Sequence, residues 1–212
     1  MVSRESREAI ELLVLIACLA ALQVLVSFTH PLAPHGSIGA LMLLGLPLAW
    51  IVVRGRRSIG PGVRMVMSAY LIFLVGMSIV NAVMLLLAVM RDSSGSPIRL
   101  LLSGFGVMAI NMMSFGLIYW WLDAADPAIR AGGGEESCDF LFPQQMIGGS
   151  SWQPSLMDYL YVAFTNLLAF SPTDTMPLRV RTKVLFMVQS ATSTFCAVVI
   201  LGHAINSLPD SG

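Results

Sequence analysis

Between Phe164 and Leu178 the chain reads FTNLLAFSPTDTMPL, and within it Thr165, Asn166, Ser171, Thr173, Asp174 and Thr175 each offer a side-chain oxygen. Neutral oxygens with one carboxylate among them can partly replace the water shell of a cation, provided several chains present them to one axis. Asp174 is the residue expected to draw a cation in. A carboxylate just after a turn has a competing use, because it can accept backbone N–H groups or pair with Arg179 or Arg181. A second polar set follows at Gln189, Ser190, Thr192, Ser193 and Thr194. At 3.6 residues per turn, Gln189, Ser190, Ser193 and Thr194 share one helix face and Thr192 lies off it. That face could wall a water-filled vestibule, or its hydroxyls could bond back to the preceding turn and let helices pack closely.

Other chemistry finds little support. His30 and His35 flank a Pro-rich stretch, His203 ends the last apolar run, and no H-E-x-x-H or carboxylate cluster accompanies them. Cys18, Cys138 and Cys196 have neither the paired spacing of a zinc site nor the even count of a disulfide scaffold. With no Ser-His-Asp order and no paired intramembrane carboxylates, neither an enzyme nor a cofactor is expected. Twelve Lys+Arg balance twelve Asp+Glu, so no basic field exists to grip nucleic acid. No apolar run carries Arg at every third position, which excludes a voltage sensor.

The elements that must hold the polar residues follow from composition. Of 212 residues, 56% are hydrophobic and 11% charged, against a charged share of about 25% in soluble domains. Too few groups prefer water to cover the surface, so the partner of most of it is the lipid bilayer and the cell membrane is the expected location. A helix needs about 17 to 25 predominantly apolar residues to cross the hydrocarbon core. Five runs qualify: Ala9 to Phe28, Ser37 to Val53 with Gly45 and Pro47 inside it, Met65 to Met90, Leu100 to Leu122, and Val184 to Ile205. The fourth ends in Tyr119, Trp120 and Trp121, an aromatic patch suited to a membrane interface. Asn81 and Asn111, each isolated in an apolar run, are expected to bond between helices.

A sixth apolar segment, Pro154 to Ala169, is shorter. It would be about 24 Å long as a helix, less than the bilayer core. The string Ser171-Pro172-Thr173-Asp174-Thr175-Met176-Pro177 after it cannot continue a helix, and Arg179, Arg181 and Lys183 are expected to return the chain to water before the fifth run. Two arrangements meet these facts. One is a re-entrant loop, whose irregular backbone must line a cavity or be buried in protein; the other is an interfacial helix with Trp152, Tyr159 and Tyr161 at headgroup level. Phe164, Leu167, Leu168 and Phe170 leave little polar face for a surface helix and favour re-entry.

Phe164, Thr165, Leu167, Asp174, Pro177 and Leu178 stand where the pore loop of tetrameric potassium channels has F-T-T-L-T-T-V-G-Y-G-D-x-x-P-L, so the stretch from Met112 onwards resembles their outer helix, pore loop and inner helix. The strings YWWLD at Tyr119, DFLFPQ at Asp139, DYLYVAFTN at Asp158 and AFSPTDTMPL at Ala169 make the chain similar to a family of multi-pass bacterial membrane proteins, a likeness that brings no activity with it. The five apolar runs together with the channel resemblance lead to the expectation of an all-α membrane protein with five spanning helices and a re-entrant pore-type helix and loop. The resemblance divides the chain into a three-helix region, 1–98, and a pore-domain-like region, 99–212. It also implies a homo-oligomer, with a tetramer as the family's arrangement, acting on monovalent cations. One departure limits it. The two filter glycines, which adopt φ > 0 freely, align with Ser171 and Thr173, where that backbone would cost about 1 to 2 kcal/mol each, and Pro172 between them fixes φ near −65°. A potassium-selective carbonyl ladder is therefore not expected, and a cation path of lower selectivity or a non-conducting scaffold or regulatory subunit remain the two functional readings.

Five crossings with a cytoplasmic N-terminus would leave Arg4, Arg7, Arg54, Arg56, Arg57, Arg64, Arg130, Arg179, Arg181 and Lys183 inside and only Arg91 and Arg99 outside. If the second run failed to span, the assignment would reverse for everything after it.

Overall fold

The computed structural model describes residues 4–29, 45, 60–91, 97–124, 138–146, 152–169 and 174–206. They are mostly helical. In chain order they form α1 (Arg4–Thr29), α2 (Pro61–Met90), α3 (Pro97–Ala124), β1 (Phe140–Leu141), the single turn α4 (Pro143–Met146), α5 (Leu156–Ala169), β2 (Met176–Pro177) and α6 (Val180–Asn206). Four of these, α1, α2, α3 and α6, are long and apolar enough to cross a membrane. The second apolar run, Ser37 to Val53, lies outside the described residues except for Gly45, which is buried against the Tyr70 ring of α2.

Local signals set several helix ends. Pro61 opens α2, where its missing N–H is no loss. Ahead of α5, the Asp158 carboxylate accepts from the Ser155 N–H at 2.6 Å and from its hydroxyl at 2.7 Å, the returning half of a capping box. The last helix corrects the expected boundary. It begins at Val180 rather than Val184, so Arg181 and Lys183 belong to its first turns, and Lys183 N–H already bonds to the Arg179 carbonyl.

The helix α3 occupies the centre and packs against α1, α2, α5 and α6. Close approach is possible because α3 presents glycine at three contacts: Gly104 against Ile200 of α6, Gly106 against Val26 of α1, and Gly116 against Leu160 of α5. Three of the neighbours run antiparallel to it. For α2, Trp121 near the end of α3 donates to Ser68 near the start of α2 at 3.1 Å. For α6, Tyr119 bonds to Gln189 while Gly104 meets Ile200, so one numbering rises as the other falls. For α1, Val26 near its end meets Gly106 in the first half of α3, and α1 also touches α5, which packs at the far end of α3. The starts of α1, α2 and α6 and the end of α3 therefore share one end of the bundle. Parallel α1 and α2 are joined towards their other ends by a reciprocal amide pair, Asn81 Nδ2 to Gln23 Oε1 at 2.7 Å and Gln23 Nε2 to Asn81 Oδ1 at 3.2 Å.

One hydrophobic core runs through all the long helices, from Leu12 to Cys196. The aromatic patch expected at an interface lies inside it. Tyr119, Trp120 and Trp121 are all buried, because α3 is enclosed on every side at that level.

Candidate functional site

The segment after α3 is tied to the bundle by four polar residues at the shared end. Asp123, in the last turn of α3, accepts from the Tyr159 hydroxyl of α5 at 2.5 Å and from the Asp139 N–H at 2.9 Å. Asp139 in turn receives Arg181 in a two-pronged pair, Nε on Oδ1 at 2.7 Å and Nη2 on Oδ2. Its carbonyl accepts the Leu178 N–H at 2.9 Å, and just beyond it Phe140 and Leu141 pair antiparallel with Pro177 and Met176. Asp123 and Asp139 are 5% and 1% exposed, so each depends on these partners in place of water. Phe140 meets Tyr119 and Tyr159 edge to face, Phe142 meets Tyr159 likewise, and Phe186 lies tilted against Phe140, so that apolar ring surface surrounds the same point.

Further into the bundle a second network joins α3, α5 and α6. The Gln189 Oε1 accepts from the Tyr119 hydroxyl at 2.7 Å and from Asn166 Nδ2 at 2.8 Å, while its Nε2 donates to the Ala163 carbonyl at 2.9 Å. Ser190 donates to Asn166 Oδ1 at 2.9 Å. Asn166 and Gln189 thus have their polar atoms matched within one chain, and both are buried. Ser190 lies ten residues past Val180, about 15 Å along α6. The helix α5 therefore starts beside Asp123 at the bundle end, reaches that depth by Asn166, and the chain is back at the end by Leu178.

The expected oxygen-bearing residues fall into distinct surroundings. Thr165 turns its hydroxyl to the Val162 carbonyl at 3.0 Å, Asp174 is exposed and Thr175 is buried. Ser171, Pro172 and Thr173 lie outside the described residues. On α6, Gln189 and Ser193 face the protein's own interior, Ser190 is half-buried and Thr194 is exposed. Ser193 bonds back to the Gln189 carbonyl, and Thr192 and Thr194 likewise return to carbonyls one turn earlier. Arg181, considered as a partner of Asp174, is engaged by Asp139 instead. Asn81 bonds between helices, whereas Asn111 has no hydrogen-bond partner among the described residues.

Asp123 and Asp139 carry no local signal in the sequence, and only their burial on long-range partners sets them apart from solvated acids. Among the described residues no group of three or more His, Cys, Asp or Glu is gathered for a metal ion, and Cys18, Cys138 and Cys196 are free thiols. Comparison of the chain with protein-family models, with curated proteins and with solved structures finds no match.

Proposed function

We propose that the chain is a pore-loop protein of the cell membrane, with five crossings and one re-entrant excursion, that forms a cation path when several copies meet. The observation that carries this reading is α5. It has 14 residues, about 21 Å, too short to cross the hydrocarbon core, and its two flanks are held at one end of the bundle by Tyr159 with Asp123 and by Leu178 with Asp139. Its carboxyl end points inward at the level of Ser190, where the carbonyls of the last turn, which have no partner within the helix, and the negative end of the helix dipole would favour a cation. The fifth crossing is supported by direction. Since α1 and α2 run parallel, the chain leaving Thr29 must come back to the opposite end before Pro61. Charge supports a cytoplasmic N-terminus: Arg7, Arg64, Arg179, Arg181 and Lys183 lie at the shared end, Arg91 and Arg99 at the other.

Ser171 and Thr173 in place of glycine argue for weak discrimination among monovalent cations. Purified protein in liposomes is expected to pass both sodium and potassium, and an Asp174→Asn variant to pass less of each; liposomes tight to both ions, at any imposed potential, would refute the conducting reading. One observation favours the alternative of a non-conducting scaffold or regulatory subunit. Gln189 and Ser190 are spent on holding Asn166 and Ala163 of α5 in place, and Ser193 bonds back to its own helix, so the most polar part of α6 is satisfied within one chain. A single-chain species in native mass spectrometry from mild detergent would support that alternative.

A further inference from the structure

Hydroxyls on the helices of this protein usually turn back onto their own backbone. Ser27, Thr165, Thr182, Thr192, Ser193 and Thr194 each bond to a carbonyl three or four residues earlier. Ser78 on α2 and Ser103 and Ser114 on α3 do not. Their Oγ atoms, and both amide atoms of Asn111, are buried without a hydrogen-bond partner among the described residues. Ser78 and Ser114 are 0% exposed and Asn111 is 1% exposed. Groups of this kind, left unpaired in an apolar interior, are costly enough that nearly all such groups in folded proteins have a partner.

Ser78, Asn111 and Ser114 lie within about one turn of one another in level where α2 and α3 face each other, whereas Ser103 is about 12 Å further along α3. The Trp121–Ser68 bond sets the register of the antiparallel pair α2 and α3. Ten residues along α2 from Ser68 is Ser78, and ten residues back along α3 from Trp121 is Asn111, so both lie about 15 Å from that bond. Ser114 is one turn from Asn111. Direction agrees with level. On α3, Gly106 faces α1, Gly104 faces α6 and Gly116 faces α5. At roughly 100° per residue, Ser114 is about 80° from Gly106 on one side and about 80° from Gly104 on the other, and nearly opposite Gly116. It points into the sector between α1 and α6, which α2 fills. Asn111 lies in the same sector towards α6, and Ser78 sits in the middle of the buried face of α2, between Leu74, Val75, Ala82 and Leu85.

We infer that Ser78, Asn111 and Ser114 form a binding site for water inside the helix bundle, separate from the proposed pore loop. Two hydroxyls and a carboxamide supply donors and acceptors in mixed proportion and no charge. That set suits water, which gives and takes hydrogen bonds and needs two to four polar partners in a buried site. It suits an anion or a divalent cation poorly, since neither would find a neutralising group there.

The site is tested by thermal unfolding of the purified full chain. Ser78→Ala and Asn111→Leu are each expected to lower Tm by about 2 to 4 °C, because each strands the remaining partners of a shared water. The double variant is expected to lose less than the sum, coupling two residues that share no direct hydrogen bond. If either substitution raises Tm, or if the two shifts simply add, the site is refuted and the groups are merely unpaired. Should Asn111→Leu fail to fold, the milder pair Ser78→Ala and Ser114→Ala reads the same coupling. Replacing sodium and potassium by N-methylglucamine is expected to leave Tm unchanged; a fall would mean a monovalent cation occupies the site and would overturn the assignment to water.

Discussion

At the scale of single residues, the polar pairs differ in what they lose when broken. In the Asp139–Arg181 pair the arginine side chain is 48% exposed and the aspartate 2%. Arg181→Gln leaves a buried carboxylate without its partner, and the expected loss of stability is about 2 to 3 kcal/mol; Asp139→Asn leaves an arginine that water can reach, and about 1 kcal/mol is expected. Denaturant titration of both variants checks the order, and equal losses would mean Asp139 is wetter than its burial implies. The Gln23–Asn81 pair has the opposite symmetry, with both amides buried. Gln23→Leu is expected to cost about 1 to 2 kcal/mol by orphaning Asn81, and adding Asn81→Leu to recover most of it. The role of Asn81 was legible in the sequence because a lone amide in an apolar run has few other uses. Asp139 with Arg181 was not, since 42 residues separate them and the nearer Asp174 offered itself as a partner to Arg181.

The elements were more readable than their contacts. Pro154 and the Pro-containing string after Ala169 bracket α5 to within two residues of where it lies, because proline and a capping box act locally. How far α5 enters was not readable, for it depends on Gly116, which in the sequence is one small residue among many. A Cβ at Gly116 would stand 2.6 Å from the Leu160 Cδ2 and 3.2 Å from its Cα. The methyl could turn aside but the backbone could not, so α5 must move outward and pull Asn166 away from Gln189 and Ser190. Gly116→Val is expected to cost about 1 to 3 kcal/mol in thermal unfolding. Gly76→Ala, in α2 with nothing within 4 Å of the new methyl, is expected to be neutral or slightly stabilising. Comparable losses at both positions would mean that the approach of α5 to Gly116 is not what the substitution disturbs, since helix propensity alone favours both changes. The inward turn of Gln189 and Ser193 was equally hidden: periodicity grouped them on a face, but which neighbour that face meets is decided by α3, far away in the sequence.

Direction is the property of the whole molecule that links these parts. Length and apolarity mark the crossings one at a time, but only contacts between helices fix which way each runs. The contacts of Trp121 with Ser68, of Val26 with Gly106 and of Asn81 with Gln23 agree in level when α1 and α2 run parallel, and if both cross the membrane, an odd number of crossings lies between them. This has a consequence independent of any channel activity. In a background without native cysteines, His35→Cys is expected to react with a membrane-impermeant thiol reagent from the same side as Gly95→Cys, and Ser58→Cys from the same side as Gly133→Cys. The first pair should label in intact cells and the second only after lysis, because most basic residues of α1, α2 and α6 lie at the second end. Labelling of both pairs with their sides exchanged would reverse the orientation but keep the architecture. Labelling of His35→Cys and Ser58→Cys from one side would do more: α1 and α2 would have to be antiparallel, the buried amide pair could not form as described, and the common end at which Asp123, Asp139 and Arg181 hold the α5 excursion would be lost as a landmark.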